Sequence, residues 1–201
     1  MRYPNFSHER ALHSRNIHLV AGVDEVGCGC WAGPVYAAAV ILPLHARLIG
    51  VRDSKQVQVL QRERLALAIK KCSLAWSIGT ASVEEIDTLN IRRASLLASQ
   101  RALQGLSIQP EWILSDAFPI PGVIPCTAVI RGDVKIFSIA AASIIAKVAR
   151  DTFMQELDHT FPNYGFAKHK GYGTAQHQQA LETYGVCDAH RKTYRPIKKF
   201  L

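Results

Sequence analysis

The chain has 201 residues, enough to bury the core of one good-sized domain with an appendage. With 48% hydrophobic and 20% charged residues it reads as globular rather than disordered. Twenty-four Lys and Arg against sixteen Asp and Glu give a net charge of +8, which suits a polyanionic partner, nucleic acid first. Seven of the basic and only two of the acidic residues lie between His159 and Leu201, so most of the surplus is C-terminal. No secretory apolar segment follows Met1, and the longest apolar stretch, Cys30 to Leu44, is too short to span a bilayer and is broken by Gly33-Pro34. The expectation is a soluble, cytoplasmic chain that touches no membrane. The five cysteines are odd in number and lack paired Cys-x-x-Cys spacing, which argues against a disulfide framework or a structural zinc site.

In chain order, residues 1–16 are polar without a clear period and read as a loosely held lead-in. The apolar run Ile17 to Ala21 predicts a buried strand ending at Asp24 or Glu25. Neighbouring strand residues point to opposite faces, so both acids can serve one site only if the strand bulges, twists or ends there. Gly33 to Leu42 predicts a second buried strand, closed by Pro43, and Asp53-Ser54-Lys55 a polar loop. A helical period runs from about Val57 to Lys71, and Leu74 to Ala81 is a third strand. Ser82 with Glu85 fits a capping box, opening a helical stretch to about Leu106 with a break near Asn90.

Glu111 to Asp116 and Cys126 to Ile130 are short strands, each leading to an acid, Asp116 and Asp133. Ile136 to about Leu157 is the longest helical pattern. Ser143, Lys147 and Arg150 share one of its faces, and such a polar stripe is ordinarily solvated. A further helix is expected from Thr174 to Tyr184. The change in character after Pro162 suggests two units, a catalytic domain over 1–157 and a small basic lobe over 158–201. Strands mixed with helices, and acids at strand exits, predict an α/β sheet with a site along one edge.

Asp24, Glu25, Asp116 and Asp133 all fall at strand exits or just beyond. Buried carboxylates are costly to desolvate unless a cation compensates them. A set without His or Cys points to Mg²⁺ or Mn²⁺ rather than zinc. Two such ions about 3.5–4 Å apart can clamp an in-line phosphoryl displacement. Beside a basic lobe, that chemistry is phosphodiester hydrolysis in a nucleic acid.

Long ordered motifs carry a resemblance. They are Gly22-Val23-Asp24-Glu25 with Ala32-Gly33-Pro34-Val35, Asp53-Ser54-Lys55 with Arg62-Glu63-Arg64, Glu85-Ile86-Asp87 with Asn90-Ile91, and Ser115-Asp116. The longest is Gly132-Asp133 followed by Ser138 to Asp151, and His169-Lys170-Gly171-Tyr172-Gly173-Thr174 and His190-Arg191 complete the set. Over roughly residues 17–197 the chain resembles bacterial ribonuclease HII, the type 2 ribonuclease H family. The resemblance implies a ribonuclease H-like mixed sheet flanked by helices, with a small helical C-terminal lobe. It also implies an endonuclease that cuts the RNA strand of RNA–DNA hybrids and cuts 5′ to single ribonucleotides in duplex DNA, leaving 3′-hydroxyl and 5′-phosphate ends.

By resemblance, Asp24, Glu25, Asp116 and Asp133 match catalytic metal-binding acids, with Mg²⁺ or Mn²⁺ as cofactor, and Tyr172 matches a tyrosine that packs on the sugar at the RNA–DNA junction. Gly27, Cys28 and Gly29, together with Lys55, Ser143 and Lys147, are candidates for substrate contact, and a monomer is expected. The family usually has Gly-Arg-Gly where this chain has Gly27-Cys28-Gly29. The missing guanidinium bears on junction recognition more than on hydrolysis. Rival readings are a DNA-cleaving relative of the same fold and a non-catalytic hybrid-binding protein.

Overall fold

A computed structural model of the chain describes residues 3–52, 54 and 57–201. Among the described residues the α-helices and strands follow in the order α1 (Ser7–His13), β1 (Val20–Val26), β2 (Val35–Ile41), α2 (Val59–Cys72), β3 (Ala75–Ala81), α3 (Val83–Leu89), α4 (Ile91–Gln104), β4 (Trp112–Asp116), β5 (Cys126–Val129), α5 (Phe137–Thr160), α6 (Phe166–His169) and α7 (Ala175–Tyr184). The strands form one five-stranded sheet in the order β3-β2-β1-β4-β5. The β3-β2-β1 half is antiparallel and the β1-β4-β5 half is parallel. The mixed α/β architecture expected from the sequence is therefore present.

Strand periodicity divides the core between two faces. Ala21, Val23, Ala37, Ala39 and Ile41 point toward α4, where they meet Ala94, Ala98 and Ala102. Ala38 and Val40 point the other way, toward Ala141, Ile144 and Ile145 of α5 and Leu65 and Ile69 of α2. Small residues set the spacing. A Cβ on Gly22 would lie 2.2 Å from the Ser138 carbonyl carbon, so α5 rests directly on β1. Gly79 does the same for α4, where a Cβ would lie 2.1 Å from the Ala98 oxygen.

Local signals set the helix ends. The Ser82 side chain accepts from the Glu85 N–H at 3.2 Å, and the Glu85 carboxylate accepts from the Ser82 N–H at 2.9 Å, closing the expected capping box. Asn90 sits at φ 70°, ends α3, and caps α4 by accepting from the Arg92 and Arg93 N–H groups. That residue is the break in the helical pattern.

Two expectations need correction. The lead-in is not loose over its described length: Ser7–His13 is helical, and Phe6 and Leu12 are buried. Buried Glu9 accepts from the Ser138 main-chain N–H at 3.0 Å and its hydroxyl at 2.8 Å. It thereby satisfies a first-turn donor of α5, which has no side-chain cap of its own. A seven-residue helix is too short to announce itself by period, and its partner lies 129 residues away. The polar stripe of α5 is also not solvated, since Ser143 is buried and Arg150 is wholly so.

Because α5 lies on β1 through Gly22, Gly22→Ala should destabilise the fold by roughly 1–3 kcal/mol, as overpacking does. For a chain of this size that is about 2–4 °C of melting temperature per kcal/mol. An unchanged melting curve would show that α5 can lift without penalty.

Candidate active site

The β1–β4 ladder ends at Val23↔Ser115, and the next residue on each strand is an acid, Asp24 and Asp116. Neighbouring parallel strands thus deliver their carboxylates side by side at their C-terminal ends, where open α/β sheets commonly place their sites. Strand β1 neither bulges nor stops at the acids. It stays paired with β2 in regular register through Asp24↔Ala38, Glu25↔Ala37 and Val26↔Tyr36. Asp24 and Glu25 accordingly project to opposite faces, yet both line the same cleft, where β4 ends at Asp116 level with Asp24.

That cleft has a volume of about 400 Å³ and is lined by Asp24, Glu25, Val26, Ser54, Asp116, Asp133, Ser143, Lys147 and Tyr172. The Gly132 N–H donates to Asp116 Oδ1 at 2.7 Å, tying the end of β4 to the short 3₁₀ turn Gly132–Val134 that carries Asp133. Asp24 Oδ1 accepts from the Glu25 N–H at 2.9 Å. Burial pushes the Asp24 carboxyl well above its ordinary pKa, the nearby Glu25, Asp116 and Asp133 carboxylates add to the rise, and Ser143 opposes it. Among the described residues, no three Asp, Glu, His or Cys side chains are gathered closely enough to hold a metal ion as they stand. The four carboxylates instead face an open cleft, whose oxygen-only donors suit a hard divalent cation with positions left for substrate. A cation there would reverse the penalty on ionising Asp24.

The remaining candidates fall in three places. Ser143, Lys147 and Tyr172 line the cleft. The Ser143 hydroxyl donates to Ser54 Oγ at 2.9 Å. Lys147 Nζ is held by Asp151 at 2.7 Å, which also pairs with Arg62 at 3.1 Å, and stands 5.9 Å from the Tyr172 ring centroid. Tyr172 is 37% exposed, and burial of the remainder pushes its phenol up to about 12, so it stays neutral at ordinary pH. Gly27 and Gly29 lie outside the cleft lining. Gly27, at φ 97°, backs onto the Arg150 guanidinium, where a Cβ would approach Nε to 2.2 Å. A Cβ on Gly29 would meet nothing within 4 Å. Lys55 lies outside the described residues.

Cys28 faces a neighbouring apolar cavity of about 440 Å³ between α4 and the loop after β4, a cavity that also includes Glu25 and Asp116. Its thiol donates toward Glu25 Oε1 at 3.8 Å, and burial beside that carboxylate pushes it up to about 12, so it is no thiolate. Sequence reasoning missed Ser54 and Asp151 as partners. Asp151 stands four residues after Lys147, the spacing of a helical ion pair, and that signal could have found it.

The mixed sheet thus groups acids where its adjacent parallel strands β1 and β4 stop pairing. Ribonuclease H2 from Pyrococcus horikoshii OT3 has the same fold, with a TM-score of 0.77 and 27% identity, over 90% of this chain and 96% of that one. The ribonuclease HII family profile matches residues 21–197. Ribonuclease HII of Bacillus cytotoxicus is 48% identical over 194 residues, covering 96% of this chain and 75% of the relative. That of Chromobacterium violaceum is 50% identical over 184 residues, covering 90% and 93%. The chain belongs to the ribonuclease HII family and is a ribonuclease H-type endonuclease. Among the described residues, no helix is long and apolar enough to cross a membrane.

The raised pKa of Asp24 carries a stability consequence. The folded chain holds this proton to higher pH than the unfolded chain does. Stability therefore falls as pH rises through the raised value and Asp24 ionises. In EDTA at neutral pH, Asp24→Asn should raise the melting temperature by about 2–4 °C per kcal/mol of strain removed. The gain should shrink as pH falls toward 3.8, the ordinary value. A lower melting temperature for the variant at neutral pH would mean that Asp24 is not strained.

Proposed function

We propose that this enzyme hydrolyses the RNA strand of RNA–DNA hybrids and cuts 5′ to single ribonucleotides embedded in duplex DNA, leaving 3′-hydroxyl and 5′-phosphate ends. The observation that carries the reading is one cleft lined by four carboxylates, a lysine and an exposed, neutral tyrosine. Asp24, Glu25, Asp116 and Asp133 would hold Mg²⁺ or Mn²⁺. When bound, such a pair of ions supplies an activated water and stabilisation of the leaving oxygen.

The protein's own groups then divide the remaining work. Asp116, held by the Gly132 N–H, keeps its carboxylate aimed at the cleft. Lys147, steadied by Asp151, offers positive charge to a phosphate, and Ser143 lies beside it on α5. Tyr172 presents its ring to the sugar at the junction. The 27–29 loop offers main-chain groups to the 2′-hydroxyl, the one atom that tells RNA from DNA at a site. The exposed lysines of the C-terminal segment, among them Lys168, Lys198 and Lys199, add attraction for the phosphate backbone. Division into a catalytic domain (1–157) and a basic lobe (158–201) fits this separation of roles, and one chain acting alone suffices for it.

Asp116→Asn and Asp133→Asn should each lower Mg²⁺-dependent cleavage by at least about 10²-fold, while hybrid binding at low salt survives, because phosphate contacts supply most of the affinity. Near wild-type turnover by either variant would remove that residue from the site. Cys28→Arg tests the departure from the family pattern. A guanidinium reaching a junction phosphate should raise cleavage at single ribonucleotides more than on long hybrids. It should also steepen the dependence of log K on log salt by about 0.9. Unchanged slope and preference would show that an arginine here is drawn to Glu25 instead.

A further inference from the structure

The C-terminal lobe buries three histidines that the chemistry above does not use. His169, His177 and His190 lie around Phe166 and Tyr164 in a shared core. The His169 and His177 rings stack at 4.4 Å and 14°, and His177 Nε2 lies 3.0 Å from His190 Nε2. Two imidazole nitrogens that close share one proton, and the surrounding main chain determines which ring carries it.

His177 Nδ1 lies 2.9 Å from the Tyr172 carbonyl oxygen, which can only accept, so Nδ1 bears the proton. In a neutral ring Nε2 is then an acceptor, and the proton between the rings belongs to His190 Nε2. His190 Nδ1 must accept in turn, and it does, from the Cys187 main-chain N–H at 3.0 Å, with the Cys187 thiol at 3.2 Å. The Cys187 carbonyl, also 3.2 Å from Nδ1, accepts from the His190 main-chain N–H at 3.0 Å. His169 is fixed the same way: Nε2 donates to the Tyr164 carbonyl at 2.7 Å, and Nδ1 accepts from the Gly171 N–H at 3.2 Å. Burial pushes His177 and His190 down to about 4 and lowers His169 as well, in keeping with three neutral rings.

The chain ends at the backbone of the residue whose ring faces the acidic cleft. The Tyr172 carbonyl accepts from His177 and from the Thr174 main-chain N–H at 2.8 Å, and its own N–H donates to the His169 carbonyl at 2.9 Å. We infer that His190 and His177 form a neutral, one-directional hydrogen-bond chain that fixes the Tyr172 backbone and so makes both histidines positioning residues for junction recognition. The inference rests on the reading of Tyr172 as a substrate contact. Neither histidine touches substrate. Each acts by denying Tyr172 the freedom to turn its ring away from the cleft, where it stands over Lys147.

Two independent measurements decide it. Ring ¹⁵N spectra of the full chain at neutral pH should show His177 protonated at Nδ1 and His190 at Nε2. The opposite tautomer of His177, or an imidazolium at either ring, would overturn the chain. Cleavage kinetics on duplex DNA with one ribonucleotide give the second. His177→Leu should raise KM roughly tenfold, the order of one hydrogen bond to a buried group, with kcat and Mn²⁺ affinity little changed. His177→Asn, whose amide N–H can take the place of Nδ1–H, should recover most of the loss and also guards against simple misfolding. In a Tyr172→Ala background, His177→Leu should cost nothing further, because its effect passes through Tyr172. Additive losses, or equal losses by His177→Asn and His177→Leu, would overturn the positioning role. A silent Tyr172→Ala would be a different failure: it removes the substrate contact and the positioning role with it, and the spectra alone then judge the hydrogen-bond chain.

Discussion

Two guanidinium groups buried without a carboxylate hold this molecule together around its cleft. Arg150 and Arg191 are both 0% exposed, and neither forms an ion pair among the described residues. Main-chain oxygens take the place of counter-charges. Arg150 donates to the carbonyls of Pro34, Ala32 and Lys170 at 3.0, 3.1 and 2.9 Å. Arg191 donates twice to Gly33, at 3.0 and 2.8 Å, and to Cys28 at 3.0 Å, with the Tyr194 hydroxyl completing its set. A buried charge is tolerable only when its donors are met, and a rigid planar fork meets several carbonyls at once. One arginine comes from α5 and the other from the C-terminal segment, and both grip the loop between β1 and β2. The loop that follows the acidic pair is thereby locked to the helix beneath the cleft and to the lobe beside it.

That clamp explains the glycine at position 27. A side chain there would displace the Arg150 guanidinium, and the positive φ independently favours glycine. Gly29, with open space around it, is under neither constraint, so its surface is available to a ligand's backbone. The clamp also orders the Cys28 carbonyl, which accepts from both Arg191 and the Tyr194 hydroxyl at 2.8 Å. Position 28 is therefore rigid in its main chain while its side chain faces the apolar cavity behind Glu25.

The cleft works against stability, and the rest of the fold offsets it. Four carboxylates share one opening, and burial together with the neighbouring carboxylates pushes the Asp24 carboxyl well above its ordinary pKa. On the α5 side, Asp151 bridges Lys147 and Arg62, placing a positive group opposite the acids without leaving it unpaired. Beyond it, the histidine core of the lobe supports Tyr172. Charge repulsion is confined to a small volume bounded by the ends of the interior strands β1 and β4, a well-packed helix and a neutral imidazole cluster.

Much of this was legible in the amino-acid sequence because it depends on short-range physics. The five strands and the longer helices show in hydrophobic period, the helix ends in Ser82 and Asn90, and Asp116 in its place at a strand exit, although β1 runs on past Asp24 and Glu25 to Val26. The chemistry of a hard-cation site follows from side-chain type alone. What the sequence could not disclose depends on partners far apart in the chain. Ser54 meets Ser143 across 89 residues, Glu9 caps α5 across 129, and Arg191 reaches Cys28 across 163. No local period encodes such pairs, and a polar residue on a helix looks solvated until the element that covers it is known. Arg150 read as part of an exposed stripe for that reason, and the end of β4 at Asp116, level with Asp24, is a property of sheet register alone. Tertiary structure decided these points because burial, and the need to satisfy every buried polar group, exists only once distant segments have met.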